Sequence, residues 1–161
     1  MAELQTFLTY DRQAEEAAQL YCAVVPGSRI TKVLRYGAGA PNLAGTVMTV
    51  AFELAGRPCV ALNAGQDFGF SNGISLAVLC DTQAELDRVW DGLLEGGGKP
   101  IACGWLTDRF GVAWQVTPKM LPELLADPDP AKAQRAFTAM AGMVKLDIDA
   151  IRAAAEGGVP A

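Results

Sequence analysis

The densest group of chemically distinctive side chains lies between Cys103 and Gln115, where the sequence reads CGWLTDRFGVAWQ. Asp108 favours the start of a tight turn and Gly111 can adopt a positive φ, so this pair predicts the turn of a hairpin. The flanking residues favour strands. Because side chains alternate along a strand, Gln115 is predicted to lie on the opposite face from Trp114. The stretch therefore predicts a packed hairpin that presents an amide on one face of a sheet.

Several kinds of catalytic site are excluded by composition. The chain has no histidine, which rules out a Ser-His-Asp triad, a Cys-His pair and any metal site that needs imidazole. The four cysteines form no C-x-x-C pair, so the spacings of zinc and thioredoxin sites are absent. We interpret the cysteines as small core residues because each lies in an apolar stretch. They are Cys22, Cys59, Cys80 and Cys103.

The overall composition limits the classes of partner. The chain has 161 residues, 51% of them hydrophobic, and a net charge of −5, which fits one domain or two small modules sharing a core. The negative charge argues against nucleic acid and against an anionic membrane surface. The start, Met1-Ala2-Glu3, lacks the basic region of a signal peptide, and no apolar run reaches the length of about 18 residues that a membrane span needs. We expect a cytoplasmic protein with no nucleic-acid or membrane partner.

The elements that must position these residues begin with a strand, a helix and three further strands. Asp11 is predicted to cap the helix, which carries Ala14, Ala17 and Tyr21 on one apolar stripe. The clearest strand alternates Met48, Val50, Phe52 and Leu54 with smaller or polar residues. The predicted elements are strand Leu4–Tyr10, helix Ala14–Val24, and strands Arg29–Tyr36, Thr46–Leu54 and Arg57–Asn63.

The same order then occurs a second time. Thr82 and Glu85 form a capping box at the start of a second helix, in which Leu86, Val89 and Trp90 recur at helical spacing. Three glycines end this helix. The predicted strands of the second set are Gly73–Cys80, Lys99–Ala102, Gly104–Thr107 and Val112–Thr117.

A repeat of this kind predicts the fold class. We expect an α+β protein in which two strand-helix-three-strand (βαβββ) modules, at about residues 1–64 and 73–118, form a curved mixed sheet around a cleft. Residues 119–161 are predicted to form a helical extension, packed on the same domain or on a dimer partner, with helices capped by Asp129 and Asp147. Open sheet edges and an amphipathic tail helix indicate a homodimer. The modules could pair within one chain or across the dimer.

With these elements in place, the chain resembles the vicinal oxygen chelate superfamily, which includes glyoxalase I, bleomycin-resistance proteins and extradiol dioxygenases. Within it, the chain is similar to the PhnB-like branch, whose domain is often labelled 3-demethylubiquinone-9 3-methyltransferase. The likeness covers nearly the whole chain and is carried by twelve short stretches. They are Gln13–Ala18 with Tyr21, Arg35–Gly37, Gly45–Val50, Phe52–Leu54, Ala61–Asn63, Phe68–Phe70, Cys103–Leu106, Asp108–Gly111, Trp114–Gln115, Asp127–Pro130, Ala139–Met140 and Lys145–Asp147.

The resemblance also implies where a metal would bind. Metal-dependent relatives hold one divalent ion with four side chains, typically His from the first strand and Glu from the last strand of a repeat. The matching positions here are Gln115, Ser75, a residue near Asn63, and Gln5 or Thr6, all neutral. Glu53 is the one carboxylate that could lie nearby, and a single carboxylate cannot form a site for a hard cation. We therefore expect no metal and no other cofactor.

The cleft that the resemblance implies would be lined by polar residues of the strands, with two aromatic residues as apolar walls. The candidates are Thr49, Glu53, Asn63, Ser75 and Gln115, with Phe7 and Trp105 as the walls. The preferred interpretation is a protein that binds an unknown small molecule without a metal, with its catalytic residues unknown. The alternative is an enzyme, either the labelled methyltransferase or a glyoxalase-like catalyst. A typical methyl-donor fold has a glycine-rich turn after its first strand. The corresponding segment here, Tyr10-Asp11-Arg12-Gln13, contains no glycine, which argues against the methyltransferase.

Overall fold

A computed structural model describes residues 1–158 as two compact units that divide between Phe70 and Ser71. Residues 159–161, the end of the predicted helical extension, lie outside the described part. Each unit contains the order strand, helix, strand, strand, strand. Each also has an open, four-stranded sheet with parallel and antiparallel pairs. The predicted α+β class, with two βαβββ modules and a helical C-terminal part, is confirmed.

The first unit places its helix against one face of its sheet. The strand order is β1-β4-β3-β2, with β1 parallel to β4 and the other pairs antiparallel. The alanines of the helix let it approach the sheet closely, and Tyr21 lies 6.3 Å from Phe52, ring centre to ring centre. The elements are β1 Thr6–Tyr10, α1 Ala14–Val24, β2 Arg29–Arg35, β3 Val47–Leu54 and β4 Arg57–Asn63.

The start of α1 corrects one prediction. Asp11 does not cap this helix, because the N-cap position is Gln13 and no side chain of the local segment caps it. The first helical N–H, that of Ala14, donates to Oδ1 of Asn63 at 2.8 Å instead. Asn63, at the end of β4, therefore accepts the hydrogen bond at the start of α1 that was predicted for Asp11.

The second unit repeats this arrangement with shorter strands. Its strand order is β5-β8-β7-β6, with β5 parallel to β8. The capping box of α2 is present: the Glu85 N–H donates to Oγ1 of Thr82 at 3.2 Å, and Oε2 of Glu85 accepts the Asp81 N–H at 2.8 Å. The elements are β5 Leu76–Cys80, α2 Gln83–Leu94, β6 Lys99–Pro100, β7 Trp105–Thr107 and β8 Ala113–Pro118.

Strand β6 is shorter than predicted because the chain turns before β7. Cys103 has φ 53 and Gly104 has φ 80, so both adopt the left-handed conformation that ends a strand. A side chain at position 104 would meet the backbone oxygen of Val116 at 2.7 Å, so glycine is required there. The tight turn allows β7 to pair with β8 directly afterwards.

Three helices follow β8, and the segment between α4 and α5 is bonded to the second module, where the N–H groups of Cys103 and Gly104 donate to the carbonyls of Met143 and Val144. Asp129 caps α4 and Asp147 caps α5, as predicted. The Gln83 side chain joins this extension to α2: its Nε2 donates to the Leu146 carbonyl at 3.1 Å, and its Oε1 accepts the Ile148 N–H at 2.9 Å. The helices are α3 Leu121–Leu125, α4 Pro130–Ala141 and α5 Ile148–Ala155. Within residues 1–158, none of the helices has the length and apolar character to cross a membrane.

Candidate functional site

Three of the seven predicted site residues share one face of the first sheet. Val50 and Phe52 are buried on the side of α1, so Thr49 and Glu53 lie on the opposite, helix-distal face. Phe7 alternates with the buried Leu8 and lies on the same helix-distal face, with 55% of its surface exposed. The structure therefore groups a large apolar side chain with one hydroxyl and one carboxylate.

The carboxylate of Glu53 already has a partner. Its Oε2 accepts from Nε of Arg29 at 3.0 Å, and the two residues are directly paired across β2 and β3. Both side chains are substantially exposed, so this ion pair contributes little to stability. A ligand that uses Glu53 would have to share it with the guanidinium.

Asn63 is separate from that group. It lies on the helix side of the sheet and is 8% exposed. In addition to the Ala14 bond, its Nδ2 donates to the Val47 carbonyl at 3.1 Å, and its own carbonyl accepts the Tyr36 hydroxyl at 2.6 Å. Its amide is thus engaged in holding α1 and β3 to the end of β4. Sequence reasoning missed this capping role because the partner is 49 residues away.

The other three predicted residues share the helix-distal face of the second sheet. Trp114 and Val116 are buried on the side of α2, so Gln115 lies on the opposite face, as predicted. Gln115 pairs across the strands with Trp105, and its Nε2 donates to Oγ of Ser75 at 2.8 Å. All three side chains are half-buried. The hairpin therefore presents a neutral amide–hydroxyl pair beside an indole ring.

A buried carboxylate supports this hairpin from the other side. Asp108 is 3% exposed, and its Oδ1 accepts the N–H groups of Phe110 and Val112. Its Oδ2 accepts the indole N–H of Trp114 at 2.9 Å. Three donors hold this carboxylate, so its role in the described structure is to fix the turn and the tryptophan. The sequence signal was the Asp-x-x-Gly turn, which indicated the turn but not the indole bond.

The burial and the pKa of the cysteine thiols argue against a nucleophilic cysteine. Cys59 and Cys80 are buried in the core as predicted, whereas Cys22 and Cys103 are half-buried. Burial, together with the Glu85 and Asp81 carboxylates, raises the pKa of the Cys80 thiol to about 12. Burial also raises the pKa of Cys22 and of Cys59. These three thiols therefore stay protonated near neutral pH, where a reactive cysteine would be a thiolate.

The donor set fits a metal ion poorly. Across residues 1–158, no three or more His, Cys, Asp or Glu side chains are grouped closely enough to hold a metal. On the helix-distal face of the second sheet the available donors are the Gln115 amide and the Ser75 hydroxyl, which are hydrogen-bonded to each other. Neutral oxygens without a carboxylate do not offset the dehydration of a divalent cation.

Comparisons with known proteins agree with this fold. The family model for 3-demethylubiquinone-9 3-methyltransferase matches residues 2–117. The chain is 31% identical to the PhnB protein of Bacillus cereus, a proposed 3-demethylubiquinone-9 3-methyltransferase, with a TM-score of 0.66; the match covers 73% of this chain and 99% of that one.

A second similar structure is protein PA1353 of Pseudomonas aeruginosa, at 23% identity and a TM-score of 0.60, covering 74% of this chain and 98% of that one. At that identity the likeness shows the fold alone. No protein among those with curated functions matches the chain. The family match spans both βαβββ modules and ends within β8. The chain therefore belongs to the PhnB-like 3-demethylubiquinone-9 3-methyltransferase family, a domain of the vicinal oxygen chelate type.

Proposed function

We propose that this protein binds a small molecule on the helix-distal face of its second sheet, without a metal ion. The contacts would come from Ser75, Trp105 and Gln115, while Phe7, Thr49 and Glu53 form a separate candidate surface on the helix-distal face of the first sheet. Asn63 is left out because its amide is engaged on the helix side. This assigns binding to the protein and does not assign a reaction.

The observation that carries the proposal is the hydrogen bond between Gln115 and Ser75. In metal-dependent relatives the position of Gln115 typically holds a ligating Glu. Here the amide donates to a hydroxyl at 2.8 Å, which leaves the amide oxygen of Gln115 and the hydroxyl hydrogen of Ser75 available to a ligand. The neighbouring Trp105 ring adds apolar area. Such a surface favours a neutral, partly aromatic molecule with hydrogen-bonding groups.

The family label is not a good guide to chemistry for this chain. A typical methyl-donor site uses a glycine-rich turn between a strand and a helix. The connection from β1 to α1 is Asp11-Arg12-Gln13, and the first N–H of α1 is taken by Asn63. These residues do not fit the methionine–adenosine cofactor that the label implies. The absence of histidine from the sequence likewise removes the side chain that most often acts as a general base.

The proposal includes a homodimer. Strand β2 lies at the edge of its sheet with most of its residues exposed, and open edges favour pairing with another chain. On α4 the Phe137 side chain is 51% exposed. Both features would be covered in a symmetric pair of chains.

A ligand screen tests the binding proposal. The protein is screened by thermal shift against metabolites and antibiotics, because a ligand that binds only the folded state raises the melting temperature by mass action. Hits are titrated by calorimetry against Trp105→Leu and Gln115→Leu, with Gln19→Leu on the exposed side of α1 as the control. We expect roughly tenfold weaker binding in the two site variants, which corresponds to about 1.4 kcal/mol. Hits whose affinity is the same in all three variants would contradict the proposed surface.

A further inference from the structure

A cavity of about 300 Å³ lies in the first unit, away from the helix-distal face. It is bounded by the start of α1, the end of β4 and the loop between β2 and β3. The loop side carries an amide and an apolar side chain, and the helix side carries carboxylates. The residues used below are Asp11, Arg12, Glu15, Asn42, Leu43 and Val47.

The loop wall of the cavity has a defined shape. The Gly45 N–H donates to the Tyr36 carbonyl and the Tyr36 N–H donates to the Thr46 carbonyl, both at 2.9 Å. Oγ1 of Thr46 donates to the Leu43 carbonyl at 2.6 Å. These bonds close the loop on itself beside β3, so that it presents Asn42 and Leu43 to the cavity in a fixed arrangement.

The electrostatic character of the opposite wall is negative. Glu15 is half-buried, and among the described residues its carboxylate has neither an ion-pair nor a hydrogen-bond partner. Asp11 has a long contact with Arg12, 3.9 Å from Oδ1 to Nε, and the arginine side chain is 80% exposed. The negative charge of Asp11 is thus weakly compensated by Arg12, and that of Glu15 has no compensating charge among the described residues.

An anion is disfavoured at the same place. The N–H of Ala14, which a bound anion would otherwise use at the start of α1, already donates to Asn63. The Arg12 N–H is engaged by Oε1 of Gln13. An anion would therefore face two carboxylates, while the cationic group of the lining, the Arg12 guanidinium, is largely exposed to solvent and lies 3.9 Å from Asp11.

We propose that this cavity binds a small organic cation, a primary amine with a short apolar chain. The ammonium group lies against the Glu15 carboxylate and the Asn42 amide oxygen, and the apolar chain lies along Leu43 and Val47. A charge-assisted hydrogen bond to Glu15 supplies the selectivity. The volume limits the ligand to a small molecule, since it stands at the lower end of the range for ligand pockets. This cavity is separate from the helix-distal surface of the proposed function, so an experiment can contradict either proposal without affecting the other.

Three matched probes test the charge preference: n-butylamine, n-butanol and butanoate, which share one alkyl chain. Backbone amide NMR signals of the full chain are followed while each probe is added to low millimolar concentration. We expect butylammonium to shift the signals of Glu15, Tyr36 and Asn42 saturably, and the alcohol and the anion to leave them unchanged. Salt should weaken binding of the amine, because the carboxylates are partly exposed.

Two variants and one control test the assigned residues. Glu15→Gln should weaken butylammonium binding about tenfold, whereas Glu16→Gln, with the same charge change on a residue that does not line the cavity, should leave it within about twofold. Leu43→Trp on the loop should block the cavity without altering any charge. Equal binding of the three probes, shifts confined to other residues, or unchanged affinity in both Glu15→Gln and Leu43→Trp would overturn the proposal.

Discussion

Oδ1 of Asn63 accepts the backbone N–H of Ala14 at 2.8 Å, which joins the last residue of β4 to the first residue of α1. The same amide donates to the Val47 carbonyl on β3. One buried side chain thus satisfies an N–H at a helix start and a carbonyl at a strand start, each of which would be costly to bury alone.

Replacing Asn63 should destabilise the first module strongly. Asn63→Ala removes a helix cap, worth about 1 kcal/mol, and leaves buried groups without partners at a further cost of about 1–3 kcal/mol. We expect a loss of about 2–4 kcal/mol in the free energy of unfolding, measured by chemical denaturation. Asn42→Ala on the exposed loop is the matched control and should change it by less than about 0.5 kcal/mol. A loss in Asn63→Ala no larger than the control's would show that the cap is unimportant.

The Asp108 carboxylate should be a second sensitive position. Asp108→Ala removes the acceptor of three donors, including the buried indole N–H of Trp114. We therefore expect the free energy of unfolding to fall by about 2–4 kcal/mol. Asp67 is the control, because it makes the same kind of turn bond to the Gly69 N–H on an exposed segment. Asp67→Ala should cost less than about 1 kcal/mol. Tryptophan fluorescence, to which Trp90, Trp105 and Trp114 contribute, should change in Asp108→Ala because Trp114 loses its bond, and an unchanged spectrum with native stability would refute this role.

Stability should fall at alkaline pH partly through Cys80. Its pKa is raised from 9.0 in the unfolded chain to about 12 in the folded protein, so the folded state holds the proton more tightly. The contribution is fully present below about pH 9 and is lost as the pH rises towards 12, at up to about 1.4 kcal/mol per pH unit. Between about pH 9 and pH 10.5, Cys80→Ala should lose less stability than the wild type, as measured by urea unfolding. Equal slopes in the two proteins would contradict the assignment, and Cys103→Ala serves as the control.

No divalent metal should copurify with the protein at the position of Gln115. The donors there are neutral, and the Gln115 amide is already bonded to Ser75. Elemental analysis of protein prepared without a metal-affinity tag is expected to find only trace metal. Stoichiometric metal that survives dialysis in the wild type and is lost in Gln115→Leu would show this prediction to be wrong.

In solution the protein should be a dimer at micromolar concentration. If α4 lies in the interface, Phe137→Glu places a charge in a buried apolar contact and should shift light scattering towards the mass of one chain. Thr138→Glu introduces the same charge on the neighbouring, exposed residue and should leave the mass unchanged. If light scattering of the wild type gives the mass of one chain, the proposed homodimer is wrong.

The sequence by itself determined the order and type of the elements. The alternation in residues 47–54 and the helical spacing of Leu86, Val89 and Trp90 are local patterns, and each recurs as a strand or helix in the structure. The capping box at Thr82, the caps at Asp129 and Asp147, and the Asp108 turn are also local, since each joins groups only a few residues apart. These features could be predicted because the interacting groups are neighbours in the chain.

Tertiary structure alone decided which side chains meet. Asn63 reaches Ala14 across 49 residues and Gln115 reaches Ser75 across 40, and nothing in the local sequence specifies either partner. Asn63 was grouped with Thr49 and Glu53, yet it lies on the other face of the sheet. A change of one residue in strand register reverses the face of every side chain, and the register is fixed where α1 buries the apolar face of the sheet. The polar groups that a ligand could use depend on that packing, because a buried polar atom must take whichever partner the assembled fold places beside it.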